Sequence, residues 1–296
     1  MAETRPVGKV PLIQTMPIPF CKFHGFGNDY IVIERKAIPD ELGLDQLAID
    51  ICNRNTGAGA DGIAVLERLD DPQADYYCEI VNPDGSFAGF SGNGTRCAVA
   101  YLNYKNLWSA ADFRLRTRSG VKLFHLIERN GDEFRFEAEI GKPRFASEEI
   151  PVLIETRRDH VINEPIEVDG RHYAFSAINV GNPVACIFVD NFNFDWRGAA
   201  RAMEKHEGFP ERTNVVFIRL ENRDEIEIRI WERGAGETSA SGSCSSGAAI
   251  LSAFLLKTQR KVLVRSEGGT TEILWRDDDE IVITGPAVYV YCGEWP

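Results

Sequence analysis

Two segments of this chain are apolar on every side. Residues 92–107 (GNGTRCAVAYLNYKNL) and 242–257 (GSCSSGAAILSAFLLK) have helical length, with Ala, Leu and Tyr or Phe spread all round. A helix without a polar face must be covered from all directions. The rest of the chain offers mostly strands to cover it. Residues 30–34, 113–118, 121–127, 133–140, 185–190, 213–220, 225–232, 261–266, 272–275 and 287–292 alternate or run apolar, with β-branched and aromatic side chains. Only residues 44–53 and 194–209 read as further helices.

Both apolar helices open on serine followed by glycine. The first opening is FSGNGTRC (residues 90–97) and the second is SASGSCSS (residues 239–246). Upstream, GND (27–29) precedes a strand and Ser91-Gly92 follows about sixty residues later. GNP (181–183) precedes a strand at a similar distance from Ser241-Gly242. This weak repeat predicts an α+β chain of two pseudo-symmetric domains, each a curved, barrel-like sheet around a central helix, with a site between them. TRSG (117–120) reads as the crossover, and TGP (284–286) as the point where the chain returns. The expected domains are residues 1–118 plus 286–296, and residues 119–285.

Serine is a favoured helix N-cap, and for one Ser-Gly alone capping is the better explanation. The pairing points further. A helix N-terminus carries partial positive charge and unpaired N–H groups. Two of them on one cleft could hold a carboxylate and stabilise charge developing on its α-carbon. The leading residue of each opening would then flank that carbon from opposite faces.

The net charge of −12 argues against a nucleic-acid partner. No apolar run is long enough to span a bilayer, and the first residues lack a secretory signal pattern, so no membrane association and a cytoplasmic location are expected. Seven cysteines, with no CxxC pair, predict neither a metal site nor a disulfide scaffold. Most are expected to be buried as small apolar residues.

The ordered motifs FCKFHGFGNDYIVIE, NTGAGADGI, NPDGS, SGNGTRC, NVGNP, ERGAGET and TGPA resemble the diaminopimelate epimerase family over nearly the whole chain. The resemblance implies a cofactor-independent isomerase that moves a proton at an amino-acid α-carbon, often as a homodimer. It implies catalytic positions at Ser91 and Ser241, where the family carries two thiols, with Glu232 as partner of the second. The family's histidine after GNP, partner of the first thiol, is Val184 here. It further implies a small zwitterionic substrate held at its distal end by Asn82, Asn182, Asn214 and Arg233. Asn28 and the first turns, Gly92-Asn93 and Gly242-Ser243, would hold the reacting end. An alcohol is a far weaker acid than a thiol and needs an adjacent base. A single-base isomerase or lyase relying on Glu232, or a non-catalytic amino-acid binder, therefore stands beside the epimerase reading. Cys244, almost one turn past Ser241, is the better of two candidate replacement thiols, ahead of Cys97, but a buried or capping role is the preferred reading for it. His24, ahead of a glycine turn, reads as structural.

Overall fold

The computed structural model describes residues 16–296. Its strands, in chain order, are β1 (Ile18–Gly25), β2 (Asn28–Glu34), β3 (Ile63–Asp71), β4 (Ala74–Val81), β5 (Phe87–Ala88), β6 (Asp112–Thr117), β7 (Gly120–Asn130), β8 (Glu133–Gly141) and β9 (Val161–Val168). The second half adds β10 (Arg171–Asn179), β11 (Pro183–Phe188), β12 (Asn214–Leu220), β13 (Glu225–Glu232), β14 (Gly236–Glu237), β15 (Lys261–Ser266), β16 (Gly269–Trp275) and β17 (Ile281–Trp295). The helices are α1 (Leu44–Cys52), α2 (Gly92–Tyr104), α3 (Trp196–Glu204) and α4 (Gly242–Phe254).

Pairing traces two rings. In the first, β1-β2-β3-β4-β6-β7-β8-β17 closes back on β1, with β2–β3 and β4–β6 parallel. In the second, β10-β11-β12-β13-β15-β16-β17 repeats that order, again with parallel joints, at β11–β12 and β13–β15. An Arg144–Asn179 bridge beyond the end of β8 completes it. The two halves therefore match element by element: α1 and α3 lie on the outer crossovers, while α2 and α4 run through the centres. The chain has an α+β fold, two ring-like sheets each wrapped around one helix.

The central helices are buried as their composition requires. Every residue of α2 from Asn93 to Asn103 is buried, and every residue of α4 from Cys244 to Ala253. Several of their buried polar groups turn back onto the helix: Thr95 donates to Ser91 O, Asn103 to Val99 O and Ser252 to Ala248 O. β2 is covered on both faces, which explains its unbroken apolar run. Tyr30 and Val32 face the α2 core, while Ile31 and Ile33 face α1.

Two expectations need correction. Thr117 pairs with Gly120 in the tight turn of hairpin β6–β7, so TRSG is not a crossover. β7 and β8 stay in the first ring, and the chain leaves it only after Gly141. A Gly-containing turn reads alike in sequence whether it closes a hairpin or joins two units. The second correction concerns cysteine. Cys21 and Cys292 stand directly opposite each other on β1 and β17 and form a disulfide. Cys52, Cys78, Cys97, Cys186 and Cys244 are free and buried, as small apolar residues would be.

Candidate functional site

Ser91 and Ser241 hold the same place in their halves. Each has extended backbone angles and caps its helix, accepting from Gly94 N–H at 3.1 Å and from Cys244 N–H at 3.5 Å respectively. The two helix starts meet at glycines. A Cβ on Gly92 or on Gly242 would stand 3.8 Å from the Cα of the other. This close approach places both first turns, with their unpaired N–H groups, on one cleft of 790 Å³. A groove of 730 Å³ around Glu34, Arg68 and Tyr76 has no such helix starts.

The cleft gathers Asn28, Asn82, Ser91, Gly92, Asn93, Asn182, Glu232, Arg233, Ser241, Gly242 and Ser243 from both halves. Asn214 is the exception. It is buried behind the wall, where its Oδ1 accepts the Arg233 backbone N–H at 2.8 Å. Its position is that of a support for the Arg233 turn. Val184 is wholly buried against Gly247 of α4, so that position offers Ser91 no polar partner. Cys244 and Cys97 do not line the cleft, and burial pushes the Cys97 thiol up to about 12. Burial likewise holds Cys244 well above the ordinary thiol value. Neither replaces a missing thiol. His24 accepts the Gly27 N–H within its own turn. Among the described residues no cluster of His, Cys, Asp and Glu could hold a metal ion.

The environments of the two serines differ. Ser241 Oγ donates to Glu232 Oε2 at 2.8 Å, and Thr238 donates to the other carboxylate oxygen at 2.8 Å. Burial raises the Glu232 pKa, partly offset by those two hydrogen bonds. Ser243 Oγ lies 3.4 Å from Ser241 Oγ, beyond the usual range for two hydroxyls. Ser91 Oγ instead lies 2.9 Å from the hydroxyl of Tyr30, a residue that the motif reading passed over. Tyr30 sits in an apolar strand run, and only the pairing of β2 reveals which face it takes. Asp61, also unforeseen, accepts from Asn28 Nδ2 at 2.9 Å.

Behind the first opening runs a chain of oriented amides. Arg96, 1% exposed, can only donate, and its Nη2 donates to Asn93 Oδ1. That leaves Asn93 Nδ2 to donate to Asn28 Oδ1 at 3.1 Å, and Asn28 Nδ2 to donate to Asp61. Asp61 and Asp29 are in turn tied by Arg54. Arg96 thus fixes which way both cleft asparagines point.

The family model described as diaminopimelate epimerase matches residues 20–146 and 176–290. A diaminopimelate epimerase of Halothermothrix orenii is 36% identical over 285 residues, covering 94% of this chain and 98% of that protein. One of Pelotomaculum thermopropionicum is 37% identical over 281 residues, with the same coverage. Among solved structures, a probable proline racemase from Agrobacterium radiobacter K84 aligns with a TM-score of 0.69 at 14% identity. That alignment covers 94% of this chain and 93% of that one, a likeness of fold.

Proposed function

The chain belongs to the diaminopimelate epimerase family, and from that premise we propose that it isomerises a zwitterionic amino acid, with proton removal confined to the face held by Ser241 and Glu232. One observation carries this reading: Ser241 donates its proton to a buried carboxylate, whereas Ser91 has no ionisable partner other than a tyrosine. With its proton given to Glu232, and the Cys244 N–H a distant donor at 3.5 Å, Ser241 Oγ has a lone pair left for the substrate. As that oxygen takes the α-proton, its own proton passes to Glu232. The electron pair of the broken C–H bond moves into the substrate carboxylate. The N–H groups of the first turns of α2 and α4 stabilise the charge that builds there. Arg233, Asn82 and Asn182 hold the distal end. The reading invokes no cofactor and treats the chain as a cytoplasmic homodimer.

The test is proton NMR in D2O with LL- and meso-diaminopimelate, followed by a panel of amino acids. Loss of the α-proton signal from centres of one configuration ahead of the other is the expected result. A silent panel, with binding seen by calorimetry, would leave a recognition protein and refute the isomerase reading.

A further inference from the structure

We infer that Tyr30 is the proton source behind Ser91, occupying the role for which the sequence has no histidine. The inference rests on the isomerase reading and supplies its second half, the return of a proton from the opposite face.

Donor counting on Ser91 leads to it. Ser91 Oγ already accepts the Gly94 N–H. If Ser91 donated to Tyr30, the cleft would face only a lone pair and no proton could be delivered. If Tyr30 donates to Ser91, both lone pairs are taken and the Ser91 proton is left for the substrate carbon. The two serines then present opposite polarity: a lone pair at Ser241 and a proton at Ser91. As the carbanion takes the Ser91 proton, Tyr30 passes its own to Ser91 Oγ and becomes the phenolate. Over one turnover Glu232 gains a proton and Tyr30 loses one. Water in the open cleft restores both.

The seat of Tyr30 is built for a fixed ring. It is 6% exposed and lines the cleft. A Cβ on Gly62 would stand 2.8 Å from its Cε1, and one on Gly94 2.9 Å from the same atom. Two glycines therefore make room for the same edge of the ring, and one of them is the N–H donor to Ser91. Burial, together with the nearby Glu232 and Asp61 carboxylates, outweighs the hydrogen bond to Ser91, raises the phenol above its ordinary value and keeps it protonated before turnover. Once Glu232 has been neutralised by the proton from Ser241, its negative charge no longer opposes formation of the phenolate. Proton uptake on one face thus eases proton release on the other. Tyr30 acts through Ser91, and so is a positioning and relay group.

Tyr30→Phe fills the same seat and removes only the hydroxyl. Deuterium wash-in and inversion of configuration are followed together in D2O with LL- and meso-diaminopimelate, using wild type, Tyr30→Phe and Ser91→Ala. The expected result is that inversion falls by ~10²-fold or more in both variants. Wash-in with retention at the centre facing Ser241 persists, and KM for diaminopimelate is unchanged. Inversion by Tyr30→Phe at the wild-type rate overturns the inference, and so does an equal loss of wash-in and inversion. Wild type that washes in no deuterium removes the isomerase reading itself and the relay with it. That outcome is distinct from a working enzyme indifferent to the hydroxyl.

Discussion

Glu232 is asked to do two things that conflict. In the proposed mechanism it must be ionised to accept a proton through Ser241, yet its burial opposes ionisation. A carboxyl group whose folded pKa lies above its unfolded value binds more protons when folded. Its contribution to stability is therefore largest at low pH and is lost as pH rises through the folded value. Two outcomes follow for Glu232→Gln. Wash-in of deuterium should fall by ~10²- to 10⁴-fold. The Tm difference from wild type should move in favour of the variant as pH is raised from about 4 to about 8, because only the wild type carries the buried charge. A pH-independent difference, measured by calorimetry, would show that Glu232 titrates as an ordinary exposed carboxylate. In the wild type, exchange should fall as pH drops through the raised Glu232 value, since the base is then protonated. At this scale Ser91 and Ser241 stand out in the sequence because each precedes a glycine at a helix start, and Glu232 because it opens the ERGAGET motif. Tyr30 and Asp61 lie within motifs, but their hydrogen bonds to Ser91 and Asn28 depend on which face of a strand or turn they occupy, which sequence alone does not give. For Asn214 the ambiguity is of the same kind: an asparagine at a strand start can face a cleft or brace the turn behind it, and here its Oδ1 accepts the Arg233 N–H.

At the scale of elements, α2 and α4 have the same capping chemistry but different roles on the cleft. Replacing either cap serine by alanine removes one satisfied N–H at the helix start, which costs ~1 kcal/mol. Ser91→Ala and Ser241→Ala should thus lose comparable stability in urea titrations. Their chemistry should diverge, with wash-in lost in Ser241→Ala and inversion alone lost in Ser91→Ala. A common loss would mean that the helix starts matter only as a carboxylate cradle. Gly94 gives a sharper case. Helix propensity favours alanine over glycine by ~1 kcal/mol, but a Cβ here would meet the Tyr30 ring at 2.9 Å and Ile80 at 3.0 Å. Crowding of that kind costs about 1–3 kcal/mol, so Gly94→Ala should be net destabilising and should also depress inversion. The two central helices were legible because a helix apolar all round has one possible environment. β3, β4 and β9 carried weaker signals, since charged residues interrupt their runs and Pro165 sits within β9, and β10 opens and closes on polar residues. The misread turn at Thr117–Gly120 came from β7, whose exposed Val121, Leu123 and Ile127 mimic the strand of a new unit.

At the scale of the whole molecule, β17 decides how the halves hold together. Its first residues, Ile281 to Thr284, pair with β16, and Val288 to Trp295 pair with β1. β8 runs beside Ile281 to Val288 and so spans the join. Gly285 lies at that join, where a Cβ would press on the Arg96 guanidinium at 2.8 Å. The strand shared by the rings therefore touches the residue that orients the cleft asparagines. The Cys21–Cys292 bond fastens the far end of the same strand to β1 across a sequence separation of 271. Five of the seven thiols should react with a chromogenic reagent in denaturant before reduction and all seven after it; seven beforehand would show that these cysteines are free. Neither ring can shed β17 without opening, and the cleft needs wall residues from both. Unfolding should then be a single cooperative transition, with calorimetric and van't Hoff enthalpies equal. Cys292→Ser should lower its midpoint, by the equivalent of about 2–4 kcal/mol, without splitting it. Two resolved transitions in the wild type would mean that the rings fold independently, and that the shared strand only links them.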